Sequence, residues 1–490
     1  MECMPEFEQV KNLAENYRTI PVWRTVPVGK LDAVGTFRIL KNLSRQCFIL
    51  ESLEDSRQWG RYTFLGYDPR LEISCTDGCL TIRNGTDLRI TTDDPGSYIR
   101  RIIEENRGPR LPQLPPLTGG LVGYFSYDYM KYAEKSLRLN TADEEGFKDV
   151  DLMLFDKLIV WDHLENKIIL IVNMKSGAVE ENYRRAVTEL DNMARILETG
   201  KLAKMKPLKI LSPFRALFDK ERYCAMVEKA KHYIHEGDIF QVVLSNRLDA
   251  GAEGSLFDTY RVQRRDNPSP YMFYFSSDDI EIAGASPETL VKLTGTELLT
   301  FPLAGTRPRG KTPEEDALLE RELLADAKEL AEHNMLVDLG RNDIGKISGF
   351  ASVSVRKYLS VLRFSHVMHI GSTVRGEILA GKTALDALDA VLPAGTLSGA
   401  PKIRACQIIS ELENTRRGIY GGAIGYLSFT GDMDTCIAIR LAFKKNGRVF
   451  VRSGAGIVAD SSPEKEYQEC VNKMQSVIDA LKEAEGGLRP

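Results

Sequence analysis

At 490 residues with 43% hydrophobic content, the chain can bury a large core and has room for two or three domains. Its formal charge of −4 argues against a nucleic-acid binder, whose domains are usually basic. No apolar run reaches the roughly 18 residues of a membrane span, and the start, Met1-Glu-Cys-Met-Pro-Glu, lacks a positive segment before an apolar one, so a cytoplasmic protein that meets no membrane is expected.

In chain order, β-like runs at 46–52, 80–83 and 167–172 alternate with turns. A proline-rich connection covers 107–120. An amphipathic helix is predicted over 180–197, and the basic stretch 201–209 reads as a linker. Beyond it, 219–235 reads as a helix and 241–248 as a strand. No repeat of fixed period occurs, and strands mixed with clustered helices point to an α+β fold. The expected division is an N-terminal region, 1–205, and a second region, 206–490. Eight cysteines are scattered through apolar stretches. Cys75 and Cys79 read as reduced structural thiols, since no second Cys/His cluster completes a zinc set.

Two acidic helix segments stand out. In Asp326-Ala-Lys-Glu-Leu-Ala-Glu-His, Glu329 and Glu332 lie three apart on one face, with His333 close by. In Pro463-Glu-Lys-Glu-Tyr-Gln-Glu, Glu466 and Glu469 repeat the spacing, and Lys473 follows one turn later. Like charges so placed cost a helix a few tenths of a kcal/mol each. Paired twice, they describe oxygen ligands for a Mg²⁺ ion that leaves room for water and an anionic substrate. Taken singly, each pair also reads as a solvated acidic face.

Between and around these helices run Gly237-Asp-Ile-Phe-Gln-Val, Gly284-Ala-Ser-Pro-Glu288, Pro302-Leu-Ala-Gly-Thr-Arg, Val367-Met-His369, Pro393-Ala-Gly-Thr-Leu-Ser-Gly-Ala-Pro-Lys402, Tyr420-Gly-Gly-Ala-Ile-Gly and Arg452-Ser-Gly-Ala-Gly-Ile. Glycines here permit close backbone approach and leave peptide N–H groups for an anion. In this order the segments resemble the chorismate-utilising enzymes, and among them the large, component I subunits that form anthranilate; the resemblance is strong over 210–480 and weaker before. It implies two large antiparallel β-sheets packed as a sandwich, helices outside and a cleft between. It further implies Glu332 and Glu469 as inner Mg²⁺ ligands, with Glu329 and Glu466 holding metal-bound water. Arg440, Tyr420 and the backbone of Gly454, Ala455 and Gly456 would hold the enolpyruvyl carboxylate, with Lys473 and Thr396 on the ring carboxylate and Thr306 and Gln241 also lining the substrate. Glu288 matches the family's general acid and His369 its histidine at the reacting face.

Two positions separate the relatives. Water-adding members carry a lysine base where this chain has Gln241, and aminodeoxychorismate synthases carry a lysine nucleophile where it has Ala304, so the resemblance implies ammonia as nucleophile. Nothing resembles a fused glutaminase, which implies a separate glutamine amidotransferase subunit as partner. Leu50-Glu51-Ser52 and Asn267-Pro-Ser-Pro-Tyr-Met272 match the element at which component I subunits bind tryptophan. Glu51 is expected on the ligand's ammonium group, Ser52 hydrogen-bonded to it, and Pro270, Tyr271 and Met272 closing the site. The competing readings are an aminodeoxychorismate synthase component I and a tryptophan-sensing subunit without catalysis.

Overall fold

Valine, isoleucine and aromatic residues fill the strands, and these assemble into two sheets in which every ladder is antiparallel. The computed structural model describes residues 3–29, 32–53, 60–137, 139, 141–363 and 367–488. Among them, one sheet has 13 strands and the other 12.

The first sheet runs Thr19–Pro27, Lys167–Lys175, Lys157–Asp162, Tyr62–Tyr67, Cys47–Glu51, Tyr271–Ser276, Ile280–Ser286, Leu441–Lys445, Arg448–Ile457, Gln241–Glu253. The second runs Leu303–Pro308, Val367–Glu377, Glu297–Thr300, Thr289–Thr294, Met433–Ile437, Ala423–Ser428, Gly120–Phe125, Val150–Phe155, Leu71–Thr76 and onward. Both halves of the chain thus contribute to both sheets. The joins are Cys47–Glu51 on Tyr271–Ser276 and Gly120–Phe125 on Ala423–Ser428.

Side-chain alternation sorts most of the buried apolar residues into three large cores, with a small fourth cluster of Leu323, Met368 and Ile370. Phe48, Phe155, Phe273, Ile282, Ile424, Phe443 and Phe450 interdigitate between the sheets. Phe37, Tyr260, Met272, Leu412 and Met474 pack helices on the outer face of the first sheet. Ile99, Val337, Leu385 and Leu388 do the same for the second.

The expected helices form as Val179–Thr199 and Lys220–His235, the latter capped by Asp219, which accepts from Arg222 N–H at 2.8 Å. The strand expected at 241–248 extends to Gln241–Glu253. The acidic segments become helices Ala327–Gly345 and Pro463–Ala484; Asp326 caps the first, accepting from Lys328 and Glu329 N–H at 3.1 and 3.2 Å. All eight cysteines are free thiols. No helix among the described residues is long and apolar enough to cross a membrane.

Candidate active site

The site lies where the chain twice jumps between sheets. Strand Ile280–Ser286 leaves the first sheet, passes through Pro287 and Glu288, and enters the second as Thr289–Thr294. Strand Met433–Ile437 returns through 438–440 to Leu441–Lys445. The crossings are laced together: Ile437 N–H donates to the Glu288 carbonyl at 2.9 Å, Ser286 Oγ to the Ile437 carbonyl at 2.7 Å, and Ala285 N–H to the Arg440 carbonyl at 3.2 Å. Glu288 and Arg440 are therefore fixed side by side. Arg440 has φ +54°, a left-handed conformation costly for a non-glycine residue and typical of functional positions.

Burial pushes the Glu288 carboxyl up to about 7, against the opposing pull of the Thr396 hydroxyl, which donates to Oε1 at 3.1 Å, and of Lys473. Behind Glu288 is a cavity of about 40 Å³ whose apolar lining includes Leu336, Leu339, Val391 and Ile437, which accounts for the desolvation. Glu288 can therefore carry a proton near neutral pH.

His369 stands opposite Thr306 in the Leu303–Pro308 ladder, where a bulge interrupts the register between Ala304 and Thr306. Gly305 takes φ +64° there, which turns its carbonyl to the imidazole. His369 Nδ1 lies 2.8 Å from that carbonyl and 3.1 Å from Thr306 Oγ1. A carbonyl only accepts, so Nδ1 carries the hydrogen and Nε2 the lone pair. Burial lowers the imidazole's pKa and Arg440 adds to this, with the Gly305 carbonyl opposing.

The four glutamates share one electrostatic neighbourhood. Burial raises the Glu332 carboxyl, Glu329 and Glu469 add to it, and Lys328 and Lys473 oppose. Burial likewise raises Glu466, with Glu469 adding and Ser461, Lys328 and Lys473 opposing. Carboxylates gathered in this way are the hard-oxygen donors suited to Mg²⁺. Among the described residues, however, no three such side chains stand close enough to hold one ion. Lys473 instead pairs with Glu469 at 2.6 Å and donates to the Gly454 carbonyl at 3.2 Å. His333 is buried and turns to Ser372 Oγ at 2.7 Å, inside the protein.

Strand Arg448–Ile457 pairs with Leu441–Lys445 only through Val451, so beyond that point alternate N–H groups have no ladder partner on this side. A Cβ at Gly454 would fall 2.6 Å from the Leu244 carbonyl and 3.0 Å from Tyr420 Oη, and one at Gly456 2.6 Å from Gln241 Nε2. Glycine is thus what lets Tyr420 and Gln241 pack against this strand. Both are buried, as is Ala304. Burial depresses the Arg440 guanidinium, with Tyr420 and Glu469 opposing, and its Nη1 donates to the Lys473 carbonyl at 3.1 Å.

The expected tryptophan element is brought together but divided between two faces. Glu51 and Met272 oppose each other in the ladder and point to the helix-covered side. Glu51 is 1% exposed and already engaged: Arg264 Nε donates at 2.6 Å, Thr63 Oγ1 at 3.2 Å, and Tyr260 Oη also donates. A ligand's ammonium group would meet Glu51 in competition with this Arg264 ion pair. Tyr271, next along the strand, points into the space between the sheets, away from Met272. Ser52 and Pro270 are half-buried at the ladder's end, where Leu53 N–H donates to the Ser269 carbonyl at 3.2 Å. Neither the glycine carbonyl that orients His369 nor the Arg264 clamp was expected from the sequence; an isolated glycine within a strand, Gly305, signals the bulge.

Residues 46–479 match the family model of chorismate binding enzymes. The chain is 45% identical to anthranilate synthase component 1 of Acetivibrio thermocellus, over 98% of this chain and 99% of that one. It is 43% identical to the same component of Acinetobacter calcoaceticus, over 100% of both. The crystal structure of anthranilate synthase component I from Streptococcus pneumoniae TIGR4 matches with a TM-score of 0.76 at 40% identity, over 85% of this chain and 92% of that one. The menaquinone-specific isochorismate synthase of Escherichia coli, at 20% identity and a TM-score of 0.69 over 97% and 98% of the two chains, shares the fold. With its sandwich, its paired crossovers and matches along nearly its whole length, the chain belongs to the chorismate binding enzyme family.

Proposed function

We propose that this chain is the chorismate-converting component I of an anthranilate synthase, turning chorismate and ammonia into anthranilate, pyruvate and water. One observation carries the reading. A proton-bearing acid, Glu288, and a buried cation, Arg440, stand on adjacent, hydrogen-bonded crossovers in a cleft where Gln241 and Ala304 stand in place of a lysine base or nucleophile.

Arg440, Tyr420 and the N–H groups of 454–456 take the enolpyruvyl carboxylate; burial pushes the Tyr420 phenol up, so it stays a donor. Lys473 turns from Glu469 to the ring carboxylate. Glu332 and Glu469, with Glu329 and Glu466 behind them, would hold Mg²⁺, which when bound neutralises and orients that carboxylate. Thr396 holds Glu288 toward the C4 hydroxyl, and Glu288 gives its proton as water leaves. Ammonia adds at C2 without a base, since it arrives unprotonated. His369 Nε2 then removes the C2 proton as pyruvate departs and the ring becomes aromatic.

A separate glutamine amidotransferase subunit supplies the ammonia. Tryptophan binds at the strand end that carries Ser52 and Pro270, its ammonium group meeting Glu51 in competition with Arg264 and its ring packed beside Met272. On this reading 1–205 carries the regulatory element and 206–490 the chorismate-binding machinery, and eight free thiols suit a reducing cytoplasm. The test is to incubate the purified chain with chorismate, Mg²⁺ and ammonium and follow anthranilate fluorescence. Product that appears with ammonium, stops with a chelator and resumes with Mg²⁺ supports the reading; chorismate consumed without ammonium contradicts it.

A further inference from the structure

Beside Glu288, a hydroxyl from the first sheet reaches into the second. Tyr271 opens strand Tyr271–Ser276, and its Oη lies 2.8 Å from both Thr289 Oγ1 and Asp434 Oδ1. Those residues belong to Thr289–Thr294 and Met433–Ile437, the strands that begin and end at the two crossovers. A carboxylate only accepts, so the tyrosine donates to Asp434 and accepts from Thr289. Asp434 Oδ2 in turn pairs with Lys292 at 2.9 Å, which anchors it in the second sheet. Thr289 follows Glu288 directly. Tyr271 also follows Pro270 and precedes Met272, whose ladder partner is Glu51. The same strand end therefore carries both the Leu53–Ser269 backbone bond, next to Ser52 and Pro270, and the Thr289–Asp434 contact.

We propose that Tyr271 is a positioning residue: its hydroxyl ties the crossover bearing Glu288 to the 269–272 segment, so that an amino acid bound beside Ser52 and Pro270 displaces the acid through this bond. The regulatory half of this inference rests on the tryptophan reading above. The two strands of the second sheet are laddered together, with Thr289 opposite Cys436. A shift of Tyr271 must then either break its bonds to Thr289 and Asp434 or carry Thr289 with it. Carrying Thr289 along moves Glu288 off its Thr396 contact, while breaking the bonds leaves the Glu288 crossover without its tie to the first sheet; a misplacement of about 1 Å in a reacting group can cost roughly 100-fold in rate.

Tyr271→Phe removes the hydroxyl and keeps the ring. In the wild type, tryptophan should slow turnover at saturating chorismate by up to roughly 100-fold. In Tyr271→Phe, tryptophan measured by equilibrium dialysis should still bind, but its effect on turnover should vanish, and uninhibited kcat should fall roughly tenfold with KM little changed. Thr289→Val should act alike, and the double variant should lose no more than either single one. Inhibition of Tyr271→Phe as strong as in the wild type, or additive losses in the double variant, overturns the proposal. A wild type that binds no tryptophan removes the regulatory reading instead, and the positioning role is then judged on kcat alone: an unchanged kcat in Tyr271→Phe overturns it, whereas a drop shared non-additively with Thr289→Val sustains it.

Discussion

Glu288 and His369 divide the proton work because their surroundings push them in useful directions. Burial raises one toward neutrality as an acid and keeps the other an unprotonated base. Glu288→Gln should abolish turnover. In the wild type, at a fixed concentration of unprotonated ammonia, kcat should decline as pH rises through about 7, where Glu288 loses its proton. The same burial weakens folding. Glu288 sits above its ordinary value of 4.5, so stability is greatest below that value and falls as pH rises toward 7. At pH 8 Glu288→Gln should therefore be more stable than the wild type by on the order of 1–2 kcal/mol; an advantage over the wild type no larger at pH 8 than at pH 4 would refute the burial. His369→Ala should slow pyruvate loss more than amination, so that an aminated, non-aromatic intermediate accumulates in quenched samples. These two residues were legible only through their motifs. What orients the imidazole, the Gly305 carbonyl at a bulge, depends on a register that composition does not reveal.

At the scale of elements, the two acidic helices were the most readable feature, because their spacing and caps are local. How closely their carboxylates approach was not, since that depends on packing between Ala327–Gly345 and the rest of the second sheet. Lys473 occupies Glu469 here, so ion binding should require the pair to open. Glu469→Gln should accordingly raise the Mg²⁺ concentration needed for half-maximal rate by tenfold or more, roughly the effect of weakening a ligand by about 1.4 kcal/mol, with an unchanged melting curve because the residue is exposed. Normal activity at ordinary Mg²⁺ would dismiss it as a ligand. The contrasting element is the helix Lys402–Glu413. Its last residue, Glu413, is 0% exposed and clamps Arg417 and Arg452 at 2.6 and 2.7 Å. Arg417 also donates to the Leu397 and Val243 carbonyls, behind Thr396 and the glycine strand. Glu413→Gln leaves two buried arginines uncompensated and should cost about 3–5 kcal/mol in denaturant unfolding. A smaller loss would mean water reaches the pair. Nothing in the sequence around Glu413 distinguishes it from a solvated glutamate.

For the whole molecule, composition and strand spacing were enough to indicate α+β, and the order of motifs to indicate a sandwich. A boundary near residue 205 describes the linker but not the packing, because strands such as Cys47–Glu51 and Gly120–Phe125 pair with partners more than 200 residues further on. Such long-range ladders arise from complementary apolar faces, which local propensity does not encode. They place the crossovers, and hence Glu288 and Arg440, at the seam of the two halves. The central claim is that this seam aminates chorismate and then expels pyruvate. Its most direct test is mass spectrometry of the products formed from chorismate and heavy-nitrogen-labelled ammonium, with pyruvate counted in a coupled assay. Labelled anthranilate and pyruvate should appear in equimolar amounts; a hydroxylated product without nitrogen, or an aminated product that keeps its enolpyruvyl group, would rule this chemistry out.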